Sequence, residues 1–83
     1  MDNNFLNLLQ TEHTWPGVYE FRFVIPASSF SSLRDVFSKE LYDIKPSAKG
    51  NYMRFSCRMH LSSAEEVIAK YEEVRHIEGL ISL

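Results

Sequence analysis

Lys45-Pro-Ser-Ala-Lys-Gly-Asn-Tyr-Met-Arg-Phe-Ser-Cys-Arg-Met-His-Leu61 holds a chain reversal and, directly after it, a long strand. Pro46 fixes its own φ and lacks an N–H donor, so a strand arriving from the N-terminal side stops there. Ser47 can turn its hydroxyl onto the backbone, and Gly50-Asn51 readily supply positive φ. From Tyr52 the residues alternate. Met53, Phe55, Cys57, Met59 and Leu61 fall on one side, and Tyr52, Arg54, Ser56, Arg58 and His60 on the other. A period of two over that length predicts a strand with one buried face. The reversal is rigid, with Lys45 and Lys49 on its rim and several backbone N–H groups left free.

Immediately before the reversal, Tyr42 to Lys45 has room only for a short strand ending at Pro46. Upstream of it, Phe30, Leu33, Val36, Phe37 and Leu41 recur at helical spacing behind Ser28 or Ser29 as a cap. Gly17 to Ile25 alternates again, with Tyr19, Phe21, Phe23 and Ile25 on one face, and Pro26 ends it. Downstream, Ser62 with Glu65, or Ser63 with Glu66, fits a capping box. The helix it opens turns Ala64, Val67, Ile68, Tyr71 and Val74 inward. Gly79 breaks that helix, and Leu80 to Leu83 forms a last strand.

The order β-α-β-β-α-β predicts an α+β, ferredoxin-like sandwich. Its four-stranded antiparallel sheet carries both helices on one face, with the two long strands in the centre. Residues 15–83 form this single domain, and residues 1–14 are an N-terminal arm. Phe5, Leu8 and Leu9 align on a helical turn or two of the arm, which is too short to be stable alone. It docks on the domain, docks on a partner or stays mobile.

Eighty-three residues with a net charge of −2 give no overall attraction to nucleic acid or to an anionic membrane. The charge is uneven, however. Lys45, Lys49, Arg54 and Arg58 lie in a stretch without carboxylates, and Glu65, Glu66, Glu72 and Glu73 make the next helix acidic. A single cysteine, Cys57, rules out an intramolecular disulfide framework. No segment resembles a secretory signal or is long enough to span a bilayer, so a cytoplasmic protein is expected.

Two places suggest binding. The first is the loop, where backbone N–H groups with Lys45 and Lys49 suit an anion; the ordinary alternative is a hairpin whose lysines keep an edge soluble. The second is the sheet face away from the helices, which presents Glu20, Arg22, Arg54, Ser56 and Arg58. Its arginines can hold a carboxylate or phosphate, or pair with Glu20 across strands. An RNA-recognition module of this topology needs aromatic rings on that face, and only Tyr52 is in phase for it. His13, His60 and His76 lack metal-ligand spacing, and Cys57 falls in the apolar phase. Neither a cofactor nor an enzyme is expected.

The motif Lys45-Pro46-Ser47-x-Lys49-Gly50-Asn51-Tyr52 stands between Trp15-Pro16 and Glu65-Glu66-Val67 to Tyr71. Over Trp15 to Leu83 this resembles the YbeD-like family of small bacterial proteins, to which lipoate binding and regulation are ascribed. The resemblance implies a fold similar to ACT domains, the small-molecule regulatory modules of amino-acid metabolism, which associate through sheet edges or helices. Two departures stand out: Pro26 replaces the glycine common after the first strand, and the segment before Lys45 is shorter. The resulting expectation is a regulatory or adaptor domain binding a small anionic metabolite or a protein partner. Lys45, Pro46, Ser47, Lys49, Gly50, Asn51, Tyr52, Arg54 and Arg58 are its binding residues. The alternatives are a homodimeric interaction module and, third, an RNA binder.

Overall fold

A computed structural model describes residues 3–47 and 49–83; Met1 and Asp2 of the arm and Ala48 of the loop lie outside the described residues. The strands are β1 (Gly17–Pro26), β2 (Tyr42–Pro46), β3 (Tyr52–Leu61) and β4 (Ile81–Ser82). The helices are α1 (Asn3–Glu12), α2 (Phe30–Val36) and α3 (Ala64–Val74). The sheet is antiparallel in the order β2-β3-β1-β4, with the long strands central as their periodicity predicts. β1 and β3 pair from Gly17 opposite Leu61 to Pro26 opposite Tyr52. That register puts Phe21, Phe23 and Ile25 on the same buried face as Phe55, Cys57 and Leu61. A slip of one residue would exchange them for arginines and Glu20, so the register is strongly specified.

Helices α2 and α3, with Phe37 just past the end of α2, complete the core through Leu33, Phe37, Ala64, Val67 and Val74. The ends of α2 differ from the sequence expectation. A 3-10 turn at Ala27–Ser29 precedes it, and Ser29 holds the cap position without a side-chain bond. The helix stops at Val36, and the Phe37 N–H bonds back to the carbonyls of Leu33 and Arg34. Leu41, expected on the inward stripe, is instead 95% exposed. Ser38, Lys39 and Glu40 offer nothing apolar to continue that stripe. The chain turns at once, with the Glu40 N–H on the Phe37 carbonyl, to bring Tyr42 opposite Cys57.

The capping box expected at the start of α3, Ser62 with Glu65 or Ser63 with Glu66, does not form; the Glu66 carboxylate reaches one residue before the N-cap Ser63. Glu66 Oε1 accepts the Ser62 N–H at 2.6 Å, while the Ser63 hydroxyl makes no capping bond. The helix ends at Val74, well before Gly79. The turn beyond it buries Ile77, and Gly79 adopts φ +78° where the chain lies against Pro26. Gly79 therefore permits a close approach of the last turn to the end of β1 rather than stopping the helix.

Most of the arm is the third helix, and it docks on the domain. Leu9 is buried in the core, Phe5 meets the Tyr71 ring edge-on at 5.7 Å, and α1 lies against α3. Trp15 Nε1 donates to the Leu9 carbonyl at 2.9 Å, satisfying an acceptor near the end of α1.

The two positive-φ glycines provide a test. A Cβ at Gly79 would lie 2.5 Å from Pro26 Cγ, whereas one at Gly50, with φ +75°, meets nothing within 4 Å. Gly50→Ala should cost about 1 kcal/mol from backbone conformation alone, and Gly79→Ala clearly more. Urea unfolding measures both; equal losses would contradict the packing assigned to Gly79.

Candidate anion-binding face

The face of the sheet opposite the core follows from the same registers. It carries Glu20 and Arg22 from β1, Arg54, Ser56 and Arg58 from β3, and Asp43 and Lys45 from β2. Arg54 faces Lys45 across one strand pair, and Ser56 faces Asp43 on one side and Arg22 on the other. Glu20, Arg22, Asp43, Lys45, Arg54 and Ser56, with Phe55 and Leu83, line a shallow depression of about 320 Å³. That is at the small end of ligand sites and suits a head group rather than a large molecule.

Cations dominate here and are weakly compensated. Arg22 Nε is 4.0 Å from Glu20 Oε1, with both side chains substantially exposed, so the pair contributes little. Glu20 lies opposite Arg58, yet its ion pair runs along its own strand to Arg22. Among the described residues, Lys45, Arg54 and Arg58 form no ion pair within 4.0 Å. Like charges directly opposite on neighbouring strands are unfavourable, and an anion between Lys45 and Arg54 would remove that cost.

The loop is organised differently from the sequence reading. The Ser47 N–H donates to the Tyr52 carbonyl at 2.7 Å, and the Tyr52 N–H returns to Ser47 Oγ at 3.2 Å. The Gly50 N–H donates to the Ser47 carbonyl, and the Asn51 carbonyl accepts from the Ala27 N–H, each at 3.0 Å. Three of the N–H groups counted as free are thus spent within the hairpin, because Ser47 closes the turn at both backbone and side chain.

The sequence-predicted site residues consequently separate. Lys45 and Arg54 meet in the depression, and Arg58 lies on the same face beside Glu20. Lys49, Gly50 and Asn51 sit on the exposed turn, and Pro46 pairs with Met53 in the core phase. Tyr52 is on the open face but at its end, opposite Pro26. Asp43 was missed as a site residue. Its signal was the phase of the short strand, which only the pairing with β3 makes definite.

Other reactive groups are held quiet. The Tyr19 and Tyr71 hydroxyls bond at 3.0 Å, and burial with that bond keeps the Tyr19 phenol protonated well above its ordinary range. Burial, helped by the Glu40 charge, pushes the Cys57 thiol up to about 11, and its Sγ lies 3.5 Å from the Leu41 carbonyl. Among the described residues, no three His, Cys, Asp or Glu side chains gather to hold a metal, and no helix is long and apolar enough to cross a membrane.

The chain belongs to the family described as protein of unknown function DUF493, whose model matches residues 10–82. No curated protein and no solved structure matches it. The family match covers the hairpin and all four strands.

The state of Cys57 can be checked directly. In the folded protein its thiol should react with a disulfide reagent at pH 8 far more slowly than in denaturant. Its folded pKa of about 11 lies above the ordinary 9.0, so the unfolded chain loses its proton first as pH rises. This group's contribution to stability therefore falls through that interval. Equal labelling of folded and unfolded chains at pH 8 would show that Cys57 is accessible and not raised.

Proposed function

We propose that this DUF493 member is a small, non-enzymatic regulatory or adaptor domain that holds a carboxylate or phosphate group on the open face of its sheet. The observation that carries this is Lys45 directly opposite Arg54, with Arg22 lining the same depression and only Glu20 and Asp43 against them. A guanidinium can bind either group through two parallel N–H donors, and a lysine beside it adds charge without competing for that geometry. The resemblance to the YbeD-like family supports lipoate as the first ligand to try, since it presents a single carboxylate on a largely apolar body. Base stacking has less to recommend it, because Tyr52 is the one tyrosine, phenylalanine or tryptophan on this face of the central strands.

Calorimetric titration with lipoate, and separately with inorganic phosphate, tests the reading. Arg54→Ala should weaken binding of whichever anion is held by about tenfold or more, the worth of a charged hydrogen-bonded contact. Lys49→Ala, on the loop, should leave it unchanged. Equal affinity in wild type and Arg54→Ala would remove the face from consideration. Binding of neither probe would count against a carboxylate or phosphate ligand and leave an acidic protein segment as the occupant to seek.

A further inference from the structure

The open edge of β2 carries a different feature, a self-complementary strand. Ser47 donates its N–H to Tyr52, so the residues sharing its phase, Asp43 and Lys45, direct their backbone groups to β3. Tyr42 and Ile44 therefore turn both N–H and C=O to the outer edge, and Pro46 turns its carbonyl there. The packing of β2 through its backbone is with β3, and among the described residues no strand lies beyond it. Ile44 is 41% exposed although it lies in the core phase, opposite buried Phe55.

We propose that β2 pairs with β2 of a second copy of this chain, antiparallel about a two-fold axis at Ile44. The two four-stranded sheets then join into one. Backbone phase allows only registers that match outward residues with outward residues. Centring the axis on Asp43 sets Asp43 against Asp43, and centring it on Lys45 sets Lys45 against Lys45. Centring it on Ile44 sets each Asp43 against the other copy's Lys45, twice, on the open face. The same register puts Ile44 against Ile44 on the helix face and exchanges both their backbone hydrogen bonds. Tyr42 then donates its N–H to the Pro46 carbonyl of the other copy. Pro46, lacking an N–H, limits how far the ladder extends. Among the three registers centred on Asp43, Ile44 and Lys45, charge complementarity thus selects the middle one, with a second copy as occupant, an isologous arrangement in which each strand contributes the same surface.

Charge exchange tests this. Sedimentation equilibrium of the wild-type chain should show a reversible dimer. Asp43→Lys alone and Lys45→Asp alone place like charges in both cross-strand pairs, and each should raise the dissociation constant by about tenfold or more. An equimolar mixture of the two variants restores both pairs and should recover dimerisation as a heterodimer, identified by its mass in native mass spectrometry. Circular dichroism of each variant establishes that it is folded. Recovery in the mixture distinguishes edge pairing from anion binding, which neither variant's charge could restore in the other. A monomeric wild type across the concentration range overturns the proposal. So does a dimer indifferent to either substitution, or variants that remain monomeric when mixed.

Discussion

The antiparallel pairing of β1 with β3 governs the rest of the molecule. Its ten-residue register decides in one step what is inside and what is outside. Phe21, Phe23 and Phe55 come to one face, where Phe37 from the end of α2 packs at 5.5 Å from Phe21 and 5.1 Å from Phe55. Each such ring contributes roughly 1.5–3 kcal/mol on burial. The other face receives Glu20, Arg22, Arg54 and Arg58, whose burial without partners would cost more than any of those rings supplies. The hydrophobic core and the charged surface are therefore two consequences of one register.

A chain this short has little core to spare, which gives the arm its structural weight. Leu9 adds a buried side chain from outside the β-α-β-β-α-β frame, and the indole of Trp15 fixes the end of α1 through a single directional bond. The Tyr19–Tyr71 hydroxyl pair lies close to where Phe5 meets Tyr71. Two phenols that satisfy each other allow bulky aromatics to fill this region without a stranded hydroxyl, and the burial that accompanies the bond also raises the Tyr19 pKa.

The long strands and α3 were legible because their apolar residues repeat at period two or at helical spacing over many positions. The family-bearing loop was legible as a turn through Pro46, Gly50 and Asn51. What was hidden depends on neighbours distant in the chain. Leu41 fits the helical stripe of α2, yet the demand that Tyr42 reach Cys57 ends the helix before it. The loop's N–H groups looked available because nothing in a linear reading says that Ser47 bonds Tyr52 twice. The focus of charge moved from the loop to the sheet for a similar reason. Lys45 and Arg54 are separated along the chain by the whole hairpin, and only the register of β2 on β3 makes them neighbours.

That register also explains why so short a strand matters. β2 adds no fully buried side chain to the core, since Tyr42 is half-buried and Ile44 more exposed still. In a domain of this size it retains Lys45 facing Arg54, an arrangement unfavourable by a fraction of a kcal/mol up to about 1 kcal/mol. Asp43, two residues away on the same face, forms no ion pair with Lys45 among the described residues. Pleating explains this: residues two apart along a strand lie about 7 Å apart, farther than side chains directly opposite on adjoining strands. The charges of β2 are thus better placed to act across strands than along their own. On the inner side they meet an arginine and a serine, and on the outer side no strand of the described residues pairs with the backbone. Among the described residues Lys45 and Asp43 form no ion pair, so two directions stay open to them: above the sheet, where the proposed anion would sit, and beyond the edge, where the proposed second copy would supply the opposite charges in the opposite order.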